Sequence, residues 1–376
     1  MSILKRRGLA FVFYILGVTA VCIIAAISFN SMKINPVFQS PGATDIVKLS
    51  NWFDGIENTS MDTDVYVFDS GVEGGSVLIL GGTHANEPAA ALSAIVLAEN
   101  INVSMGKVYI IPYANNSGIT HNDAMEGAPE FYHIELPDGS VREFRFGSRR
   151  TNPIDQWPDP TLYNHQSGST LGGGEVSNLN RCYPGDPNGY PTEKLAYAIV
   201  ELVKNENIDI VIDMHESSPE YPVNDAIVFH QDAAELAIMA QMMLEMEEVQ
   251  IRLEESPVNL RGLSHREIGD ATDAMVLLLE VANPSQGRLR GKTNEELVVT
   301  GLDKFYVQAA LDGKLYAPYD ENGYPISLRV ARHISTINSI IQAWDMMSEK
   351  MIMIDDFPAY SDVINDIGSF LDGKEG

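Results

Sequence analysis

The stretch Val77-Leu78-Ile79-Leu80-Gly81-Gly82-Thr83-His84-Ala85-Asn86-Glu87-Pro88-Ala89-Ala90 limits what this chain can fold into more than any other. Four apolar residues predict a buried strand, two glycines permit close backbone approach, and the Ala-rich run after Pro88 predicts a helix. Pro88 suits the first helical position and keeps Glu87 out of the helical region, so His84 and Glu87 both fall in the turn. Imidazole nitrogen and carboxylate oxygen are ordinary zinc ligands, and a catalytic zinc takes three protein ligands plus an open position. The turn therefore reads as half of a zinc site, with one more ligand to come from elsewhere.

The flanking sequence sets the architecture. Val65 to Phe68 is strand-like and Lys107 to Tyr113 reads as a second buried strand. The order strand, helix, strand then implies a parallel pair with a right-handed crossover. Ligand sites in such sheets lie beyond the carboxyl ends of the strands, which is where His84 falls. From Ala114 to Pro184 helix signals are few. A hairpin of His133 to Leu136 and Val141 to Phe146 turns at Pro137-Asp138-Gly139-Ser140, and a Gly-rich run from Gly168 to Gly174 reads as mobile. So long an irregular stretch in an α/β domain reads as the wall of a pocket. Beyond it the pattern predicts a helix over Thr192 to Asn205 and strands at Ile208 to Met214, Ala226 to His230 and Met275 to Val281. Further helices are predicted at Ala233 to Glu248, with core-filling methionines, near Asn294 to Leu311, and at Ser327 to Met347.

The chain has 376 residues and a formal charge of -27, which excludes phosphate-backbone binding and adhesion of the folded body to anionic lipid. No nucleic-acid partner is expected. The N-terminus departs from that average, because Lys5, Arg6 and Arg7 precede an uncharged run from Gly8 to Phe29, long enough to cross a bilayer core of about 30 Å. Basic residues on that side stay cytoplasmic, which predicts a single-pass membrane protein with its catalytic domain extracytoplasmic. The alternative is secretion after cleavage near Ala25, Ala26 and Ser28. Only Cys182 lies beyond this segment, so the exported part has no internal disulfide. The expected divisions are 1–31 for the cytoplasmic stub and transmembrane anchor (or signal peptide), 32–49 for a linker, 50–350 for the catalytic domain and 351–376 for a C-terminal tail.

The third ligand should sit at another strand end. Ile208-Asp209-Ile210-Val211-Ile212-Asp213-Met214-His215-Glu216 offers His215, with Asp213 two residues back as a partner for its imidazole. His230 is the main competitor. His121, His165 and His265 rank lower, and His133 and His333 fit surface roles. A zinc hydrolase also needs a base that moves a proton from water to the leaving nitrogen. Met275-Val276-Leu277-Leu278-Leu279-Glu280-Val281 places a lone carboxylate in an apolar strand, where burial is costly without a function. In Asn178-Leu179-Asn180-Arg181-Cys182-Tyr183-Pro184-Gly185 the Arg181 fork suits a substrate carboxylate, with Asn180 adding a hydrogen bond.

Taken in order, Gly81 to Glu87, Asn180-Arg181 before Tyr183-Pro184, Asp213-Met214-His215 and the late Glu280 resemble the zinc carboxypeptidase superfamily. The branch they most resemble is that of the succinylglutamate desuccinylase and aspartoacylase-like proteins. The resemblance covers roughly residues 60 to 310. It implies a three-layer α/β/α fold with a mixed, mainly parallel central sheet, preceded here by the N-terminal transmembrane helix. It implies one zinc ion per chain on His84, Glu87 and His215, Glu280 as the group that promotes water, and Asn180 and Arg181 on a substrate carboxylate. It further implies an arginine that polarises the scissile carbonyl, for which Arg149 is preferred over Arg150. The family usually has Asp where this chain has Asn178, which bears on the orientation of Arg181. Arg288 and Arg290 could bind an acidic substrate or be solvated loop charges. The separate C-terminal β domain of aspartoacylases is not evident.

The expected function is a zinc-dependent hydrolase cleaving an amide bond adjacent to a free carboxylate, acting as a deacylase on a small-molecule N-acyl amino acid. One alternative is a zinc metallocarboxypeptidase acting on peptides, including cell-wall peptides. A second is a noncatalytic binding or sensor protein on the same fold. A serine hydrolase is poorly supported, because no Gly-x-Ser-x-Gly occurs.

Overall fold

A computed structural model describes residues 3–31, 36–123 and 127–371. The chain divides into two compact units, Met1–Pro36 and Val37–Gly376. The first holds helix α1 (Ile3–Ser31). Within it Arg7–Ser28 has a mean hydropathy of 2.6 and none of it is buried, so it is long and apolar enough to cross a membrane, a test that a signal sequence also passes.

The second unit runs β1 (Asp45–Lys48), β2 (Asp64–Asp69), β3 (Ser76–Leu80), α2 (Pro88–Asn100), β4 (Asn102–Met105), β5 (Lys107–Ile111), then the hairpins β6 (Phe131–Glu135) with β7 (Val141–Arg145) and β8 (Leu162–Asn164) with β9 (Thr170–Gly172). It continues through α3 (Pro191–Asn205), β10 (Ile210–Ser217), β11 (Ala226–Phe229), α4 (Ala234–Met246), β12 (Arg252–Glu255), α5 (Ser264–Ala271) and β13 (Met275–Ala282). It closes with α6 (Glu295–Thr300), α7 (Lys304–Leu311), α8 (Ile326–Met347), β14 (Met353–Asp355) and α9 (Tyr360–Asn365).

An eight-stranded sheet has the order β1-β2-β5-β3-β10-β13-β11-β12. Its centre, β5, β3, β10 and β13, is parallel, while β2 and the β11/β12 pair run against it and β1, antiparallel to β2, runs with it. Side chains alternate between faces along each strand. Val77, Ile79, Ile210, Ile212, Leu277 and Leu279 thus pack on one face with α2, α4 and α8, and Leu78, Leu80, Val211 and Val276 on the other with α3 and Ile268 of α5. The result is the expected three-layer α/β/α arrangement with a mixed, mainly parallel sheet. Helix α2 is buried on every side from Pro88 to Ala98, which its alanines permit because they let the sheet and α8 approach closely.

Several elements differ from the sequence reading. Residues 45–48, expected in a linker, pair with β2, and residues 353–355, expected in a tail, pair with β4. Residues 32–35 of the linker and 372–376 of the tail lie outside the described residues. The Gly-rich run carries β9 of a hairpin. The methionines of α4 are divided: Met239 and Met243 pack on the core, while Met242 and Met246 are exposed. His333, expected at the surface, is fully buried on α8.

Candidate metal centre

The centre is built from the loop after β3 and the end of β10. Strands β3 and β10 are parallel neighbours, so their C-terminal ends lie side by side. Gly82 leaves β3 with φ +61, and a Cβ there would lie 2.9 Å from the Pro112 carbonyl oxygen, so glycine is required where the loop presses on the chain after β5. The turn closes with Glu87 N–H donating to the His84 carbonyl at 3.1 Å, and Pro88 opens α2 immediately afterwards. His215 lies within β10 rather than past its end, opposite Glu280 in the β10/β13 register.

These elements bring His84, Glu87 and His215 together, all three buried, as the metal-ligand cluster found among the described residues. His84 Nδ1 is 2.9 Å from Glu87 Oε1 and 3.1 Å from His215 Nδ1, which is 3.0 Å from Glu87 Oε2. The outer nitrogens are held from behind. His215 Nε2 is 2.9 Å from Asp213 Oδ2, and a carboxylate can only accept, so Nε2 donates. Asp213 is itself fixed by Thr83 Oγ1 at 2.8 Å and Ser264 Oγ at 2.5 Å. His84 Nε2 is 2.9 Å from Asn178 Oδ1, an oxygen identified by the Asn180 N–H it accepts while Asn178 Nδ2 donates to Glu175 Oε2.

With both outer nitrogens donating, the two Nδ1 atoms turn lone pairs toward the Glu87 carboxylate. Two lone pairs and a carboxylate converging at 2.9–3.1 Å are satisfied by a cation between them, and without one by a proton on His215 Nδ1 donated to Glu87. Two imidazoles and one carboxylate are a zinc donor set, and bonds of about 2.0–2.1 Å at tetrahedral angles place donors about 3.3 Å apart. The residues present therefore fit a metal ion.

The charges follow. Burial would raise Glu87, but the His84 and His215 imidazoles outweigh it and hold the carboxylate well below its ordinary range. Burial would lower His215, yet Asp213 and Glu87 together raise it well above the ordinary imidazole value. Burial, reinforced by Arg149, pushes His84 down to about 4. Glu280 stands apart, since its Oε2 is buried without a hydrogen-bond partner. Burial raises its carboxyl to about 8, with His215 pulling the other way and Glu87 adding to the rise.

The remaining candidates divide. Arg149 Nη2 donates to Glu87 Oε1 at 2.8 Å, so Arg149 is at the centre, whereas Arg150 Nη2 meets Glu175 Oε1 at 3.0 Å. Arg181 donates to its own neighbour's carbonyl, Asn180 O, at 2.6 Å, and its Nε lies 3.9 Å from Glu175 Oε2. Asn180 Oδ1 accepts Ser264 N–H at 2.8 Å, tying this turn to the start of α5. His230, the competing ligand, is elsewhere, with Nε2 3.1 Å from Asp270 Oδ1. His265 bonds Ser256 and His165 bonds the Tyr183 carbonyl. Arg290 bonds Thr293 and the Gly287 carbonyl in its own loop, and Arg288 is exposed.

Sequence reasoning missed two features. Asn178, a departure from the family pattern, accepts from His84 Nε2. Glu216, adjacent to His215, forms a fully buried ion pair with Arg329 of α8 at 2.7 Å, accepts Ala89 N–H at the start of α2, and donates its backbone N–H to Glu87 Oε2 at 3.0 Å. The signal available for that pair was an arginine in the apolar pattern of α8.

No family model matches the chain, and no curated protein does. Among solved structures the chain is similar to a succinylglutamate desuccinylase/aspartoacylase from Rhodobacter sphaeroides, at 17% identity over 58% of this chain and 51% of that one, with a TM-score of 0.34. It is similar to a metallo-carboxypeptidase from Burkholderia cenocepacia, at 12% identity over 85% and 68%, with a TM-score of 0.45. It is also similar to the cell shape determinant protein Csd4 from Helicobacter pylori, at 13% identity over 77% and 54%, with a TM-score of 0.44. The chain spans about half the length of the first of these.

Proposed function

We propose that the chain is a zinc hydrolase that cleaves an amide bond next to a free carboxylate, with N-acyl amino acids as its substrates. The observation that carries this reading is the pairing of a three-donor cluster with Glu280, a carboxylate whose Oε2 has no partner, on the adjacent strand opposite His215. His84, Glu87 and His215 would hold the ion. Bound there, zinc supplies Lewis acidity to a carbonyl oxygen and acidity to a water molecule.

The chain's own residues do the rest. Glu280 takes the proton of the attacking water and delivers it to the departing nitrogen, for which a carboxyl raised to about 8 is well matched to neutral pH. Arg149, beside Glu87, faces the charge that develops on the carbonyl oxygen. Arg181 with Asn180 holds the substrate carboxylate. The catalytic domain extends beyond residues 50–350 to include β1 and β14. Lys5, Arg6 and Arg7 ahead of the apolar helix support an extracytoplasmic placement of that domain on a membrane anchor.

The test uses the full chain in detergent, with zinc and with chelator, against a panel of N-acyl amino acids and peptides, the products being identified by mass spectrometry. Release of a small acid and a free amino acid is expected with zinc alone. Shortened peptides instead would establish the carboxypeptidase alternative. Glu280→Gln should bind zinc stoichiometrically and lose turnover by at least about 100-fold, the contribution of general acid–base catalysis. An equally active variant, or a chain that takes up no zinc and hydrolyses nothing, would overturn the assignment.

A further inference from the structure

Glu175 sits between Arg150 and Arg181, the second of which is proposed above to hold the substrate carboxylate. Its Oε1 meets Arg150 Nη2 at 3.0 Å, its Oε2 is 3.9 Å from Arg181 Nε, and the same Oε2 accepts Asn178 Nδ2 at 3.0 Å. Gly174 makes room for this arrangement, since a Cβ there would stand 3.0 Å from Arg150 Nη1. Arg149 is already paired with Glu87. Three guanidinium groups therefore surround two carboxylates that belong to the protein. Arg150 and Arg181 carry two positive charges and Glu175 removes one, which leaves a single unit for a ligand.

Resting on the zinc amidohydrolase reading, we propose that Glu175 is a specificity-determining residue that makes the site select substrates with one carboxylate over substrates with two. A first carboxylate meets the net positive charge of the arginine pair. A second would enter beside Glu175 with no cation left to match it, and like charges at close range are repulsive. Two structural details keep Glu175 in place. Asn178 grips it from the side that also holds His84, and Arg150 is paired with it, so Arg150 serves a second anion only by giving up Glu175.

The test compares probes of one shape that differ in charge: N-acetyl-glutamine against N-acetyl-glutamate, and Ala-Ala-Gln against Ala-Ala-Glu. Binding is measured by calorimetry on the zinc-loaded full chain carrying Glu280→Gln, so that no turnover consumes the probe. The neutral side chain should bind more tightly in each pair. Adding Glu175→Gln should shift the ratio toward the glutamate probes by about five-fold, the scale of a partly exposed ion pair. Arg150→Gln, which leaves Glu175 and Arg181 balanced, should weaken every probe and move the ratio the other way, and it carries the test if the Glu175 variant does not fold. A parent that favours the glutamate probes, or a ratio unmoved by both substitutions, overturns the proposal while leaving the hydrolase reading intact. Absence of zinc uptake and of binding by all probes overturns both.

Discussion

Asn178 connects the proposed metal cluster to the arginine pair, accepting from His84 Nε2 with one end of its amide and donating to Glu175 with the other. Groups behind a metal ligand fix its tautomer, and removing one commonly costs about 10–100-fold in metal affinity. Asn178→Leu should weaken zinc by that factor in competition with a chromogenic chelator, whereas Asn178→Asp, which still accepts from His84, should hold zinc at least as tightly as the parent. Glu280 allows a second measurement without metal. Its carboxyl rises from an ordinary 4.5 to about 8 because it is buried. Between those values the folded state holds a proton that the unfolded chain has released, so this group's contribution to stability falls as pH rises and levels off once the folded carboxyl ionises. In urea unfolding of chelator-treated protein, Glu280→Gln should gain on the parent steadily from pH 5 to pH 8. The four motif residues at the centre were legible because His84 and Glu87 fall in the turn between an apolar run and an Ala-rich one, while His215 and Glu280 end or interrupt such runs. The role of Asn178 was not, because sequence spacing does not report which side chain lies behind an imidazole.

At the scale of elements, β10 links the layers. His215 faces the centre, and the adjacent Glu216 is buried with Arg329 of α8 while capping the first turn of α2. Breaking a buried pair by removing one partner leaves a charge with nothing to balance it, typically at a cost of about 3–5 kcal/mol. Arg329→Met should lower the unfolding free energy by that amount in urea melts, and Arg329→Met with Glu216→Gln should recover part of it. The central strands and the flanking helices were readable from apolar runs and amphipathic period. The strands β1, β4, β12 and β14 were not, since they are short and edge-placed, with at least half of their side chains in contact with water, and carry little hydrophobic signal. The antiparallel setting of β11 is likewise a matter of connection rather than composition.

Across the whole molecule, the boundaries expected at 49/50 and 350/351 cut through pairings that only the folded sheet reveals. The order of the motifs along the chain has a further consequence. Glu87 and His215 are 128 residues apart, and β13 must then insert between β10 and β11 before the sheet is complete. Such distant pairings make folding slow, because a long loop must close before any contact rewards it. A chain emerging from its N-terminus therefore shows His84 and Glu87 to its surroundings well before the rest of the cluster exists. Under the proposed function, metal loading would then be a late step in maturation, set by the ion supply where synthesis ends.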